Sequence, residues 1–302
     1  MNSIIRNNKY FLKFIVAILL LLCIIIIIDI SLRNDNLKSK NGKKFIFTFW
    51  EPSKNIPGYI RLCIKTWKKF LPDYDIITLD YKKVKKYLGD NLFRNIICKS
   101  MTLTLQADAI RVALLQKFGG IWMDADTIIT NDDFLKNIEN YELVMIGVTN
   151  SPNIAFIYTS KNSTIINEWL IEIIRRVNIT KQIFQSNKNI TVKWNYLGNN
   201  IIDALLAKHN NSKNVLILDR NKQNVFPEIK LFKHTNLTRK DKYLNLFFRN
   251  RDPKILSPLE KGIIMLHNSF TPEKYKNMTE KQFLKENILL SQYFGKILKK
   301  YI

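Results

Sequence analysis

Short apolar runs alternate with amphipathic stretches through the first third of the chain. Residues 44–50 (KFIFTFW) and 76–79 predict strands, residues 60–70 predict an amphipathic helix, and another helix is expected to begin within residues 84–88. Such alternation is typical of an α/β fold in which helices cover both faces of a largely parallel sheet. The pattern therefore predicts an α/β domain with a mostly parallel central sheet.

A helix that leads directly into a strand is the strongest local prediction. Residues 106–118 lack Gly and Pro and are rich in helix formers. Gly119 and Gly120 follow, and Gly is the usual residue just past a helix C-terminus. The apolar run at residues 121–123 then predicts a buried strand.

The second half of the chain carries fewer signals. Apolar runs predict strands at residues 143–148, 215–218 and 262–266. Thr279 and Gln282 have the spacing of a capping box, which predicts the start of a final helix of about 18 residues.

The N-terminal segment predicts a membrane anchor. Every residue from Phe14 to Ile28 is apolar, and an apolar segment of about 20 residues can span a bilayer. A cleaved signal peptide is the alternative, but the apolar stretch is long for one and no small-residue cleavage site follows it. The expected organisation is a tail, a transmembrane anchor, a stem and one folded domain with two halves: residues 1–10, 11–30, 31–43 and 44–302, the halves being 44–150 and 151–302.

The orientation of this anchor is less clear than its existence. Basic residues lie on both sides of it, so the positive-inside rule does not favour a lumenal domain. Six glycosylation sequons in the C-terminal half, where roughly three would arise by chance, favour one. We therefore expect a single-pass membrane protein whose type II, Golgi- or ER-lumen-facing orientation is preferred over a cytoplasm-facing one. The sequons are at Asn162, Asn178, Asn189, Asn210, Asn236 and Asn277.

Composition adds two constraints. The 48 Lys and Arg against 25 Asp and Glu give a net charge of +23, but the basic residues are spread along the chain and no nucleic-acid-binding motif accompanies them. We interpret the charge as a solvated surface with attraction to anionic membranes or nucleotide diphosphates, and expect no nucleic-acid partner. Cys63 and Cys98 could form a disulfide or could both be buried thiols.

Two carboxylates, Asp124 and Asp126, stand two residues apart directly after the strand predicted at residues 121–123. Carboxylate oxygens suit a hard divalent ion, which commonly shares its coordination with substrate phosphates. A second pair, Asp73 and Asp75, precedes a strand and is most simply a turn. The surroundings must therefore give the first pair its significance.

Those surroundings contain further candidates. Asp108 and Arg111 are three residues apart on the predicted helix. A surface ion pair worth under about 1 kcal/mol is one interpretation, but the neighbouring acidic strand end favours a functional pair. Trp50 and Asp124 would both lie at the carboxyl ends of strands, where α/β sheets bind ligands. His267 ends an apolar run and is either a core histidine or a ligand that closes the site.

The segment ADAIRVALLQKFGGIWMDADTII closely resembles the core motif of glycosyltransferases of the capsular polysaccharide synthesis type. These are related to glycosyltransferase family 32, to the yeast initiating mannosyltransferases and, more distantly, to the glucosylating domains of large clostridial toxins. FTFWEPSKNIPGYIRLCIKTWKKFLPDYDIITLD and IMLHNSFTPEKYKNMTEKQFL resemble the flanking stretches. The resemblance implies a GT-A type nucleotide-sugar-binding fold, a UDP- or GDP-sugar donor, Mn²⁺ or Mg²⁺, a glycan, lipid or protein-linked acceptor, and retention of anomeric configuration.

The motif match also implies roles for individual residues. Trp50 would stack on the nucleotide base and Trp122 would line the sugar pocket. Asp108 and Arg111 would hold the donor sugar and its phosphates. Asp124 would contact the ribose and sugar, or the metal through water, and joins Asp108 and Arg111 in the expected catalytic set.

The remaining implied roles concern the metal and the acceptor. Asp126 would ligate the metal, and His267, Asn268 and Ser269 are the expected C-terminal contributors to metal or diphosphate binding. Relatives often carry Gly-Pro where this chain has Gly198-Asn199, which is a departure on the acceptor side.

Two other functions compete. A phosphatase of the haloacid dehalogenase type also carries an Asp-x-Asp pair after a strand, and there Asp124 would be the nucleophile and Asp126 the acid/base. That class expects the pair near the start of the domain and a later acidic pair for magnesium, neither of which this chain has. A non-catalytic, membrane-anchored basic binding protein is the other alternative.

Overall fold

Eight strands form two sheets in a computed structural model that describes residues 43–148, 151–186, 191–209, 214–252, 254–256 and 261–299. Six strands make a central sheet in the order β2-β1-β3-β6-β5-β7, and β4 pairs with β8. The strands are β1 (Lys44–Phe49), β2 (Tyr74–Leu79), β3 (Gly120–Met123), β4 (Thr127–Ile129), β5 (Leu143–Val148), β6 (Ser151–Thr159), β7 (Val215–Asp219) and β8 (Ile263–Met265).

The central sheet is mixed, with more parallel than antiparallel pairing. β1 is parallel to β2 and β3, and β5 is parallel to β7, whereas β6 is antiparallel to both β3 and β5. The carboxyl ends of β1, β2, β3, β5 and β7 therefore share one edge of the sheet. This pairing confirms the expected α/β class with a mostly parallel sheet. Residues from both predicted halves of the domain contribute strands to the sheet.

The small sheet contains the last predicted strand, expected at residues 262–266 and observed as β8. β8 pairs antiparallel with β4, placing Ile264 opposite Ile128. The helix α1 (Gly58–Phe70) packs on this sheet. The Trp67 Nε1 donates to the Thr127 carbonyl at 2.7 Å, and the Ile129 N–H donates to Thr66 Oγ1 at 2.9 Å. These bonds fix the chain just after the acidic pair.

Eleven α-helices lie within the described residues. They are α1 (Gly58–Phe70), α2 (Tyr81–Leu88), α3 (Asp90–Ile96), α4 (Leu103–Phe118), α5 (Thr164–Ser186), α6 (Asn199–Lys208), α7 (Pro227–Leu231), α8 (Arg239–Leu244), α9 (Glu273–Lys276), α10 (Glu280–Phe283) and α11 (Leu289–Leu298). The sequence pattern had assigned no element to α5, the longest of them.

The predicted helix before the acidic strand is α4, and it begins three residues earlier than expected. The Thr102 side chain caps it by accepting from the Leu105 N–H at 3.4 Å. Residues 108–115 of this helix are all buried, Asp108 and Arg111 included. Its two charged site residues are therefore held inside the protein and not on its surface.

The final helix is shorter than predicted. The capping box at Thr279 and Gln282 is present, but α10 ends at Phe283 and α11 begins only at Leu289. Ile288 is extended between them, and the Leu289 N–H donates to the Asn250 carbonyl at 2.7 Å. The break lets Phe283 and Phe294 both be buried in one aromatic contact, with ring centroids 6.2 Å apart.

The membrane prediction is corrected. Across the ranges that the structure describes, no helix has both the length and the apolar character needed to cross a bilayer. A single-pass membrane placement, Golgi- or ER-facing or otherwise, and a lipid bilayer partner are therefore not supported. The predicted anchor and stem, residues 11–30 and 31–43, lie outside the described residues except for residue 43.

The structure decides whether Cys63 and Cys98 form a disulfide or are buried thiols. Cys63 and Cys98 are both free and buried, so they do not form a disulfide. Burial, with the nearby charge of Asp126 as a second cause, raises the pKa of the Cys63 thiol well above its usual range.

The junction between α4 and β3 depends on two glycines with positive φ. Gly119 has φ +66° and Gly120 has φ +94°. A Cβ on Gly120 would lie 2.7 Å from the Phe45 carbonyl oxygen, and one on Gly119 would lie 2.9 Å from the Lys161 nitrogen. Only glycine fits this turn. An L side chain at either position would be strained by the positive φ and would clash with a backbone atom of a neighbouring segment.

We expect Gly120→Ala to lower the free energy of unfolding by about 2 kcal/mol or more, because it combines an unfavourable φ with a backbone clash. Gly295→Ala is the matched control, since no heavy atom lies within 4 Å of a Cβ built there in α11. The control should leave stability unchanged or raise it by up to about 1 kcal/mol. Urea denaturation of both variants measures this, and equal stabilities would contradict the role given to the junction.

Candidate active site

A buried arginine joins two carboxylates at the carboxyl end of β3. The Arg111 Nη2 lies 2.9 Å from Asp108 Oδ1, and its Nη1 lies 3.4 Å from Asp124 Oδ1. Asp108 is 3% exposed and Arg111 is 4% exposed. The interpretation of Asp108 and Arg111 as a surface ion pair is therefore wrong, because the pair is internal and extends to the acidic strand end.

The guanidinium is held on further sides. Its Nη1 also donates to the backbone carbonyl of Ile154 on β6, and its Cζ lies 5.0 Å from the centroid of the Trp122 ring. Ile154 belongs to a strand that the sequence pattern did not predict. Arg111 therefore orients carboxylates from α4 and β3 against β6, and its charge stays inside the cluster.

Trp122 supports Asp124. The indole is 1% exposed, and its Nε1 donates to Asp124 Oδ1 at 2.8 Å. The Asp124 N–H donates to the Ala155 carbonyl at 2.8 Å. Two side chains thus meet one carboxylate oxygen of Asp124, which fixes its direction while the residue remains half-exposed.

Asp126 is held by a segment far away in the sequence. Its Oδ2 accepts from the Asn268 N–H at 3.0 Å, across 142 residues, and its carbonyl accepts from the Leu266 N–H at 2.9 Å. The Asn268 side chain in turn accepts from the Tyr59 hydroxyl. Asn268 therefore contacts the acidic pair through its backbone, and Tyr59 is a site residue that sequence reasoning missed.

The site destabilises the ionised form of two of its acids. Burial raises the pKa of Asp108 to about 7, with Asp124 adding to the shift and Arg111 opposing it. Burial also raises the pKa of Asp126 to about 7; the charge of Asp124 adds to this, and the Asn268 N–H opposes it. A cation placed beside Asp124 and Asp126 would relieve this repulsion.

His267 faces a different group from the one expected. Its Nε2 lies 3.4 Å from Oε1 of Glu228, which is fully buried, and its ring stacks on Phe226 with centroids 5.2 Å apart. Ser269 is exposed in a turn. Among the described residues, no group of three or more His, Cys, Asp or Glu side chains is arranged to hold a metal ion.

A metal at this site would therefore draw its protein ligands from Asp124 and Asp126. Two neighbouring carboxylates, one with a raised pKa, suit a hard ion that completes its coordination with phosphate oxygens and water. His267 and Ser269 are not brought into a ligand group with them.

Trp50 lies at the same edge of the sheet. It follows β1, the strand next to β3, and its backbone N–H donates to the Leu79 carbonyl at 2.9 Å. The indole is half-buried. A flat ligand that crosses this edge could meet Trp50 and the acidic pair together.

Gly198, which the family resemblance places on the acceptor side, packs against the cluster. A Cβ on it would lie 2.7 Å from Asp108 Oδ2 and 2.6 Å from Ile154 Cδ1. The residue is buried and precedes α6. No local pattern reveals this contact, because the residues that meet there lie far apart in the sequence.

Comparison with known proteins gives a family. The family model described as "Capsular polysaccharide synthesis protein" matches residues 24–247. No curated protein matches the chain. The family match covers α4, the glycine junction and the acidic pair, and ends before β8.

Several solved glycosyltransferases are weakly similar. The apo form of GlyE from Streptococcus pneumoniae TIGR4 is 15% identical with a TM-score of 0.38, and the alignment covers 85% of this chain and 64% of that one. The PaToxG glycosyltransferase is 18% identical with a TM-score of 0.35, over 67% and 84% of the two chains. A glycosyltransferase involved in glycosylation of the major capsid of PBCV-1 is 10% identical with a TM-score of 0.34, over 66% and 96%.

These structural similarities are all low. The chain spans 64% of the length of the pneumococcal protein it matches. TM-scores below 0.5 do not define a shared fold, so the family match is the finding that matters.

We expect the stability of the metal-free chain to fall as the pH rises from about 4 to about 7. The pKa of Asp126 is about 7 when folded against an ordinary value of 3.8, so in this range the folded chain binds a proton that the unfolded chain has released. Asp126→Asn should make this fall in stability smaller. At pH 8 the free energy of unfolding of the variant should exceed that of the wild type by an amount of the order of 1 kcal/mol.

Urea denaturation in chelator at a series of pH values from 4 to 8 measures the effect. Asp73→Asn is the matched control, because Asp73 belongs to the second Asp-x-Asp pair and is exposed. It should keep the wild-type slope. If Asp126→Asn kept that slope too, the environment assigned to Asp126 would be wrong.

Proposed function

Because this chain belongs to the capsular polysaccharide synthesis family, we propose that it is a metal-dependent glycosyltransferase of the GT-A type. It moves a sugar from a UDP- or GDP-sugar to a glycan, lipid or protein-linked acceptor, with retention of configuration. The alternation of strands and helices and the mixed central sheet are compatible with that fold type.

One observation carries the proposal. Arg111 joins Asp108 and Asp124 in a buried cluster at the carboxyl end of β3, with Asp126 two residues further on. Ligands of α/β sheets bind at this edge. The partly exposed carboxylates of Asp124 and Asp126 offer hydrogen-bond acceptors for the hydroxyls of a sugar diphosphate and ligands for its counter-ion. The buried cation of Arg111 lies beside them.

The donor is proposed to lie along the edge from β1 to β3. Trp50 stacks on the nucleotide base at the β1 end. Asp124, whose direction Arg111 and Trp122 fix, accepts hydrogen bonds from the hydroxyls of the donor, and the buried Asp108 holds Arg111 in place beside it. Trp122 acts through Asp124, because it is buried and its Nε1 is already bonded there.

The divalent ion would be held by Asp126 and, directly or through water, by Asp124. When bound, it neutralises the charge that develops on the leaving diphosphate. Asn268 orients Asp126 for this role. Its N–H bonds the Oδ2 of Asp126 and leaves the other oxygen of that carboxylate for the ion. We assign no covalent intermediate, since no further carboxylate is positioned as a nucleophile in the sequence motif.

Arg111 contributes at the same step. Its Nη1 lies 3.4 Å from Asp124 Oδ1 inside the protein. The low dielectric constant of the interior strengthens the electric field of this charge at the reacting bond. Because its Nη atoms are bonded to Asp108, Asp124 and Ile154, it positions these groups and does not itself reach out to a phosphate.

The phosphatase alternative draws on one observation, the pKa of Asp126 near 7, which would suit an acid/base group. Its nucleophile would be Asp124. However, one oxygen of Asp124 is bonded by Trp122 and faces Arg111, and Asp108, the other acid of the cluster, is buried and paired with Arg111. We therefore prefer sugar transfer.

We expect Asp126→Asn to reduce sugar transfer by at least about 10²-fold, which is typical of the loss of one electrostatic stabiliser. The measurement is UDP or GDP release by the full chain from a panel of nucleotide sugars with Mn²⁺. Asp73→Asn, which alters the exposed first residue of the second pair, should keep wild-type activity. Near-normal activity of Asp126→Asn would remove the metal assignment.

The same assay separates the two reaction classes. Release of UDP or GDP from a sugar nucleotide supports the transferase. Cleavage of p-nitrophenyl phosphate, with no release from any sugar nucleotide and complete loss in Asp124→Asn, would establish the phosphatase instead.

A further inference from the structure

Trp194 is unlike the other tryptophans of this chain. Its side chain is 71% exposed, the highest value among the large apolar side chains that the structure describes. Trp67, Trp122 and Trp169 are fully buried, and Trp50 is half-buried. A large indole left in water loses the stabilisation that burial would give, so its position calls for an explanation outside the folded core.

The segment that carries Trp194 is firmly attached to the protein. The Trp169 Nε1 on α5 donates to the Leu197 carbonyl at 2.8 Å. The Arg176 Nη1 donates to the Tyr196 carbonyl at 2.6 Å, and its guanidinium lies 4.9 Å from the centroid of the Tyr196 ring. Backbone bonds within the turn add to this, including Asn200 N–H to the Asn195 carbonyl at 3.0 Å. The indole is therefore exposed on an anchored turn.

The same turn ends against the candidate active site. Gly198, four residues after Trp194, packs on the carboxylate of Asp108, where a Cβ would lie 2.7 Å from Oδ2. The next residue, Asn199, donates from its side chain to the Pro152 carbonyl on β6 at 2.7 Å. Trp194 thus projects from a turn whose other end touches the cluster.

The order of strands places this turn opposite the proposed nucleotide side. Along the sheet, β1 with Trp50 lies on one side of β3, and β6, which Gly198 contacts through Ile154, lies on the other. A donor that extends from Trp50 to Asp124 leaves the β6 side free. A second substrate must approach the sugar from there.

We propose that Trp194 is a stacking platform for a pyranose ring of the acceptor, so that the acceptor is a saccharide. The inference rests on the proposed function, which it extends from the donor to the acceptor. The C–H face of a pyranose packs on the flat indole, while its hydroxyls need polar neighbours, and Thr191, Lys193 and Asn195 flank the ring in the sequence. A bilayer or a protein partner would call for a contiguous apolar patch, which these polar neighbours interrupt.

The test compares Trp194→Ala and Trp194→Phe with the wild-type chain. Each is supplied with the nucleotide sugar that the wild type hydrolyses, Mn²⁺, and a panel of acceptors: glucose, galactose, mannose, N-acetylglucosamine and their disaccharides to hexasaccharides. The ratio of transfer to hydrolysis should fall about tenfold in Trp194→Ala through a higher acceptor KM, and Trp194→Phe should keep most of it. Ile171→Ala, which alters another exposed side chain on α5, should leave the ratio unchanged.

A binding measurement accompanies the kinetics. The panel sugars should shift the tryptophan emission of the wild type, and the shift should be lost in Trp194→Ala. An unchanged acceptor KM in Trp194→Ala would overturn the inference. So would a panel that gives neither transfer nor an emission shift, or an emission shift with phosphatidylglycerol vesicles and none with sugars. Failure of the proposed function is distinct, since the wild type would then hydrolyse no nucleotide sugar at all.

Discussion

The buried guanidinium of Arg111 is the constraint on which this site depends. A charge taken out of water is tolerated only when it is paired and hydrogen-bonded, because desolvation otherwise costs several kcal/mol. Arg111 meets that requirement with Asp108 on its own helix, Asp124 at the end of β3 and the Ile154 carbonyl on β6. Three elements must therefore meet at one point, and that point is the end of the strand that carries the acidic pair.

The glycine junction makes this meeting possible. Gly119 and Gly120 let α4 pass into β3 without a connecting loop, so residues of the helix and of the strand end are brought side by side. On the far side, the Asn268 N–H after β8 donates to Asp126, and Tyr59 on α1 donates to the Asn268 side chain. The acids are thus held by groups that precede and follow them in the chain, and burial together with the charge of Asp124 raises the pKa of Asp126 to about 7. This is a site that gains from a cation.

The mixed sheet divides the site into two approaches. Parallel strands on the β1 side form the edge proposed for the nucleotide, whereas on the other side the turn before α6 packs against Asp108 and Ile154 of the antiparallel β6. The acidic cluster lies between the two. Family membership defines the general chemistry, and the geometry of these two sides is where a choice of donor and acceptor would be made.

The sequence alone determined the local elements and the location of the chemistry. Gly-free periodicity specified α4, two glycines specified its end, the run 143–148 became β5 with the same bounds, and the motif around Asp124 and Asp126 indicated the family. Tertiary structure decided the rest: the burial of Asp108 and Arg111, the contact of Gly198, the pairing of His267 with Glu228 and the break after Phe283. Periodicity and capping act between residues a few positions apart, which a sequence displays. Burial and pairing act between segments separated by up to 142 residues, and only the folded chain brings those together.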